Sequence, residues 1–204
     1  MKKKLITLAL SAVMVLAGAV AAYADVDYSS WSSNGIYPSD VMNTEYLTPV
    51  KYLMDKKILT GYDDGKFYPD KGITRAEFAT MMAKATNNTA NAEILKIQNT
   101  FSDMSGYSWA NGYVNCCNQA GLIQGVGNGK FEPGREVTYA EVITIIVRSK
   151  NTSAVMEGTW PNNYIQYVQM YMNSMIGDRN ITNWNAPARR GDVAMMLYRS
   201  IPKN

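Results

Sequence analysis

The chain has 204 residues, 47% of them hydrophobic and 18% charged, with a formal net charge of +3. No histidine is present, which excludes histidine as a general base and as a metal ligand. A charge this close to balance also counts against a generic polyanion binder such as a nucleic-acid protein, which carries a basic excess or stripe.

Lys2, Lys3 and Lys4, an apolar run from Leu5 to about Ala17, and the small-residue site Ala22-Tyr23-Ala24 read as a secretory leader over residues 1–24. The run is shorter than the about 20 residues that span a bilayer, and no second run of that kind follows, so no membrane attachment is expected after cleavage. In Leu16-Ala17-Gly18-Ala19 an alanine stands where a lipidated cysteine would, so no lipid anchor is expected either. Cleavage removes three of the 20 basic residues and none of the 17 acidic ones, leaving a mature chain from Asp25 with 17 of each. Residues 25–36 are polar, Ser-rich and aperiodic, and read as an arm.

From residue 37 the chain repeats itself, and the repeat decides the architecture. In the first unit, residues 37–86, Tyr46, Val50, Leu53, Met54 and Ile58 share one helical stripe, with Asp40 as the candidate cap and Gly61 as the expected stop. The stretch from Tyr62 to Pro69, with Asp64-Gly65 at its centre, reads as a tight turn. It lacks the alternating acidic ligands and closing Glu of an EF-hand, so no metal is expected. Thr74-Arg75-Ala76-Glu77 then opens a second helix with a capping box, in which the Thr74 hydroxyl takes the N3 amide and Glu77 reaches back. The box accounts for Thr74 and Glu77 but not for Arg75, since a cation in the first turn opposes the helix dipole. Arg75 is therefore either a ligand-binding residue or a tolerated surface residue.

Residues 87–100 are Asn-rich at first and read as a linker with one or two helical turns. The second unit, 101–150, carries Trp109, Val114, Cys117 and Leu122, reaches Gly125, and repeats the turn so that Phe131 and Pro133 stand in register with Phe67 and Pro69. The box returns as Thr138 and Glu141, with Tyr139 in the place of Arg75. Adjacent Cys116 and Cys117 fall in a predicted helix, where neighbouring side chains diverge by about 100°. Two small apolar side chains, a strained vicinal disulfide and an intermolecular bridge are the readings open for them.

The third unit, 151–204, is the most altered. Trp160 and Pro161 open it, Tyr164, Val168, Tyr171 and Met172 stripe its first helix, and Gly177 ends it. Arg189 occupies the cap position, which breaks the box, while Arg190 matches Arg75. The expected fold is all-α, three tandem helix-loop-helix repeats. Glu77 and Glu141 are the obvious acids for hydrolysis, but each serves a cap and they belong to different units, so no enzyme is expected.

The spaced pieces Phe101-Ser102-Asp103, Trp109-Ala110, Ala120-Gly121-Leu122-Ile123-Gln124-Gly125, Phe131-Glu132-Pro133 and Thr74-Arg75-Ala76-Glu77 together resemble the S-layer homology domain, over about residues 37–201. The resemblance implies repeats packed with pseudo-threefold symmetry around a central helical bundle. It also implies inter-repeat grooves that bind secondary cell-wall polysaccharide, often bearing pyruvylated N-acetylmannosamine, and hold exported proteins on the wall or S-layer of Gram-positive cells. No cofactor is implied. The arginine that the resemblance sets against the acidic sugar maps onto Arg75 and Arg190, with Thr74, Gly61, Gly125, Trp109 and Trp160 as the other glycan-binding candidates. The two tryptophans serve either as stacking faces or as core. A guanidinium beside free helix N-terminal amides is in any case a good carboxylate receptor. The alternative is a structural or assembly protein of the cell surface that acts through contacts with an unidentified protein partner. With Arg75 read as a ligand, its replacement by alanine is expected to leave stability within about 0.5 kcal/mol.

Overall fold

In the computed structural model, which describes residues 37–150 and 157–203, a 3-10 turn at Ser39–Val41 precedes eight α-helices among the described residues. They are α1 (Leu47–Asp55), α2 (Arg75–Ala85), α3 (Ala92–Leu95), α4 (Ser108–Gln119), α5 (Tyr139–Ser149), α6 (Asn162–Tyr171), α7 (Asn173–Ile176) and α8 (Arg190–Ser200). Strand-like pairing among these residues is limited to isolated bridges, so the fold is all-α. None of the helices is long and apolar enough to cross a membrane. The expected leader, 1–24, and arm, 25–36, lie outside the described residues.

The second helix of each unit lies inside the protein, buried along most of its length, with its few charged residues concentrated in the first and last turns. Every residue of α2 from Arg75 to Ala83 is buried, as is every residue of α8 from Arg190 to Leu197, and in α5 burial runs from Val142 to Val147. The first helices of the outer units, α1 and α6, are buried on one side, whereas α4 lies between α2 and α3 and is buried on both. Each central helix packs against the first helix of the following unit: α2 on α4, α5 on α6, and α8 back on α1. The last unit thereby closes on the first.

The segments that lead into the central helices are joined in a ring of backbone hydrogen bonds. The Ile73 N–H donates to the Ala188 carbonyl at 3.3 Å, Ala188 to Val137 at 2.8 Å, and Val137 to Ile73 at 2.9 Å. A second set of three follows, in which Arg75, Tyr139 and Arg190 donate to the carbonyls of Arg135, Ala186 and Lys71. Amides in the first helical turn, which have no intrahelical acceptor, are thus satisfied by the neighbouring unit.

Several expectations change. Asp40 caps no α-helix; its carboxylate accepts the backbone N–H groups of Phe67 at 2.8 Å and Tyr68 at 2.7 Å. Asp103 does the same for Phe131 and Glu132, both at 2.8 Å. These clamps hold Tyr68 and Glu132 at positive φ, 56° and 57°, a conformation unusual for side chains of that size. Gly61 is not the helix stop, because α1 ends at Asp55 and the positive φ falls on Lys57, at 58°. Its counterpart in the second unit is Gly121, at 69°, and in both units the following residue, Ile58 or Leu122, donates back to Leu53 or Cys117. Of the expected stripe of the third unit, Val168 is buried and Tyr164 and Met172 pack partly buried against the core, while Tyr171 is 74% exposed. Cys116 and Cys117 are both free thiols and both buried, and burial pushes the Cys117 thiol up to about 12.

Candidate functional site

Both capping boxes are formed. Thr74 Oγ1 accepts the Glu77 N–H at 3.2 Å while Glu77 Oε2 accepts the Thr74 N–H at 2.8 Å, and Thr138 and Glu141 repeat the pattern. Arg189 makes no side-chain cap bond.

The residue beside each cap reaches into the next unit. Arg75 is 5% exposed; its Nε donates to the Phe131 carbonyl at 2.8 Å and its Nη2 to the Gln124 carbonyl at 3.0 Å. Its Nη1 pairs with Glu141 at 2.8 Å, and the guanidinium stacks 4.7 Å from the Phe131 ring. Arg190, 1% exposed, repeats this against the first unit: Nη2 donates to the Thr60 carbonyl at 2.7 Å, Nη1 pairs with Glu77 at 3.6 Å, and the rings of Phe67 and Tyr62 lie 4.8 and 5.0 Å away. The arginine of one unit thus joins the cap glutamate of the next. This supplies the purpose that the dipole argument left open for Arg75, and burial overturns the expected near-neutral effect of Arg75→Ala.

The remaining junction is built differently. Tyr139 takes the arginine's place and donates its hydroxyl to Asp192 while accepting the Arg189 N–H. Asp192 is too short to reach back as a glutamate does, so the phenol bridges the gap. Arg179, from the turn of the third unit, pairs with Asp192 and with Glu45. Burial, and the hydrogen bond to Asp192, push the Tyr139 phenol up to about 12.

Between the first two units lies a pocket of ≈ 270 Å³ bordered by Arg75, Gly125, Glu141, Arg148 and Trp160. Burial pushes the Glu141 carboxyl up, but hydrogen bonds from Arg135 and the Thr138 amide, with the charge of Arg75, bring it below the usual carboxylate range. Gly125 belongs there because a Cβ would come within 2.6 Å of the Lys130 carbonyl and of the Phe101 ring. Trp160 is 52% exposed on the pocket's edge and donates its indole N–H to Thr144 at 3.0 Å. It belongs to the third unit, so three units contribute to one cavity.

The corresponding cleft at Arg190 is lined by Thr60, Glu77 and Lys84 and encloses ≈ 10 Å³. Thr74 and Gly61 do not line either cavity; Gly61 sits between Thr60 and Tyr62, which hold Arg190. Trp109 is partly buried against the core, 6.4 Å from the Tyr107 ring, and does not line either cavity. Sequence reasoning missed Arg148. Its only signal was register, since it stands in the second unit where Lys84 stands in the first.

Two of the three units thus present a cap glutamate that receives a neighbour's arginine, each beside a polar cleft. Residues 39–79 and 100–143 match the S-layer homology domain, and the chain carries domains of this family. It is 34% identical over 156 residues to the middle cell wall protein of Brevibacillus brevis, covering 76% of this chain and 14% of that protein. It is 36% identical to the surface layer protein of Brevibacillus choshinensis over 57% of this chain and 10% of the relative. It is 35% identical to the cellulosome-anchoring protein of Acetivibrio thermocellus over 58% of this chain and 28% of the relative. The chain therefore spans a small part of the length of these relatives.

Proposed function

We propose that the chain is a non-catalytic anchoring module that attaches to the bacterial cell wall by binding an anionic wall polysaccharide between its repeats. The observation that carries this reading is the pocket between the first two units, open at ≈ 270 Å³ and combining two arginines with an exposed indole. Aromatic faces and charge-assisted donors are what an acidic sugar requires. The names of the relatives, cell-wall, surface-layer and anchoring proteins, support the same reading. So does the ring of backbone bonds, which fits a pseudo-threefold arrangement of the three units. Glu77 and Glu141 are committed to caps and to arginine partners, which counts against these two as a hydrolytic pair. The ligand is a secondary cell-wall polysaccharide with pyruvylated N-acetylmannosamine, on a Gram-positive wall.

The test is retention of the mature chain on purified wall sacculi before and after mild acid removal of the ketal. Retention lost with the ketal is the expected result. Retention by neither preparation refutes the reading, and a mass that grows with concentration in size exclusion would favour a protein-assembly role.

A further inference from the structure

Resting on that reading, we infer that the acidic group of the sugar is received by Arg148, not by Arg75, and that this pocket takes a single sugar residue per chain. All three guanidinium nitrogens of Arg75 already have partners: a carboxylate and two main-chain carbonyls. Arg135 also donates to both Glu141 oxygens, so the Glu141 charge is spent inside the junction. Arg148 differs. It borders the same pocket, is half-buried, and among the described residues has only neutral partners, the Tyr164 hydroxyl at 3.3 Å and the Leu122 carbonyl at 3.5 Å. With two arginines and one glutamate on its wall, the pocket has a net positive charge, and Arg148 holds it. A carboxylate is a far stronger acceptor for a guanidinium than a phenol or a long carbonyl contact, so an anion entering here displaces weak bonds only.

The residues in register with Arg148 are not offered in this way. Lys84 lies in the cleft of ≈ 10 Å³, where burial pulls its amine down from the usual lysine value. Arg199 donates to the Ile176 carbonyl at 3.0 Å and lies across Gly177, where a Cβ would come within 2.0 Å of its Nη1. Lys84 thus faces a cleft with almost no room and Arg199 is held against its own unit, whereas Trp160, tied to Thr144, walls the Arg148 pocket, which stays open.

The experiment is calorimetric titration of the full mature chain with the methyl glycoside of 4,6-O-pyruvylated N-acetylmannosamine and with the same sugar lacking the ketal. The expected result is one site and a preference of at least about tenfold for the ketal sugar, the size of a charge-assisted hydrogen bond. Arg148→Gln should abolish the preference, Arg148→Lys should restore part of it, and Trp160→Ala should weaken both sugars alike. Melting curves establish that each variant is folded. A preference intact in Arg148→Gln, or two or three equal sites in the parent, overturns this inference and leaves wall binding standing. No binding of either sugar, nor of sacculi, overturns both.

Discussion

Replacing Arg75 with methionine keeps most of the volume of the buried stem and removes the guanidinium. The Phe131 and Gln124 carbonyls then lose donors at 2.8 and 3.0 Å, in a place where only 5% of the arginine is exposed. Two such bonds contribute about 1 kcal/mol each. Breaking a buried ion pair costs about 3–5 kcal/mol when the partner is left alone. Glu141 keeps Arg135 at 2.6 Å, so only a fraction of that applies. The sum is about 3 kcal/mol, which lowers the melting temperature by about 6–12 °C for a chain of this size. Circular dichroism melts of the parent, Arg75→Met and Arg75→Lys provide the measurement. A melting temperature within about 2 °C of the parent would refute the idea that this arginine joins the first unit to the second.

Three further outcomes are expected. Asp103→Ala frees the amides of Phe131 and Glu132 and should lower stability by about 2 kcal/mol in urea unfolding, with the loss absent if the turn holds itself. Thr138→Ala removes a cap and should cost about 1 kcal/mol, measured the same way. In acid, burial pushes Asp103 and Glu141 up, but amide bonds to Asp103 and the arginines and Thr138 amide at Glu141 leave both below their usual values. Their stabilisation is therefore complete above the unfolded values of about 3.9 and 4.3, and is lost as pH falls through the lower folded values. The urea midpoint should hold from about pH 7 to 5 and decline below about 4; a midpoint that rises on acidification contradicts this.

What the sequence disclosed depended on how far apart the interacting residues stand. Thr74 and Glu77 are one helical turn apart, and the box between them is written in the local pattern. Arg75 and Glu141 lie in different units, so the local pattern marked the arginine as misplaced without giving its partner. Asp40 was legible as an acceptor near a helix start, but its donors, Phe67 and Tyr68, come from the far side of the turn. The helix end was hidden because a lysine, Lys57, adopts the conformation that a glycine has at position 121. Trp160 could not be placed on the pocket from its own unit, since the cavity it borders lies between the other two.

The loop of hydrogen bonds through Ile73, Ala188 and Val137 has no terminal member. Deleting any one unit strips a donor from one survivor and an acceptor from the other, at the start of helices that are themselves interior. Excision of the third unit should therefore yield an insoluble remnant, not a smaller working protein, because each central helix start is completed by a backbone group from another unit.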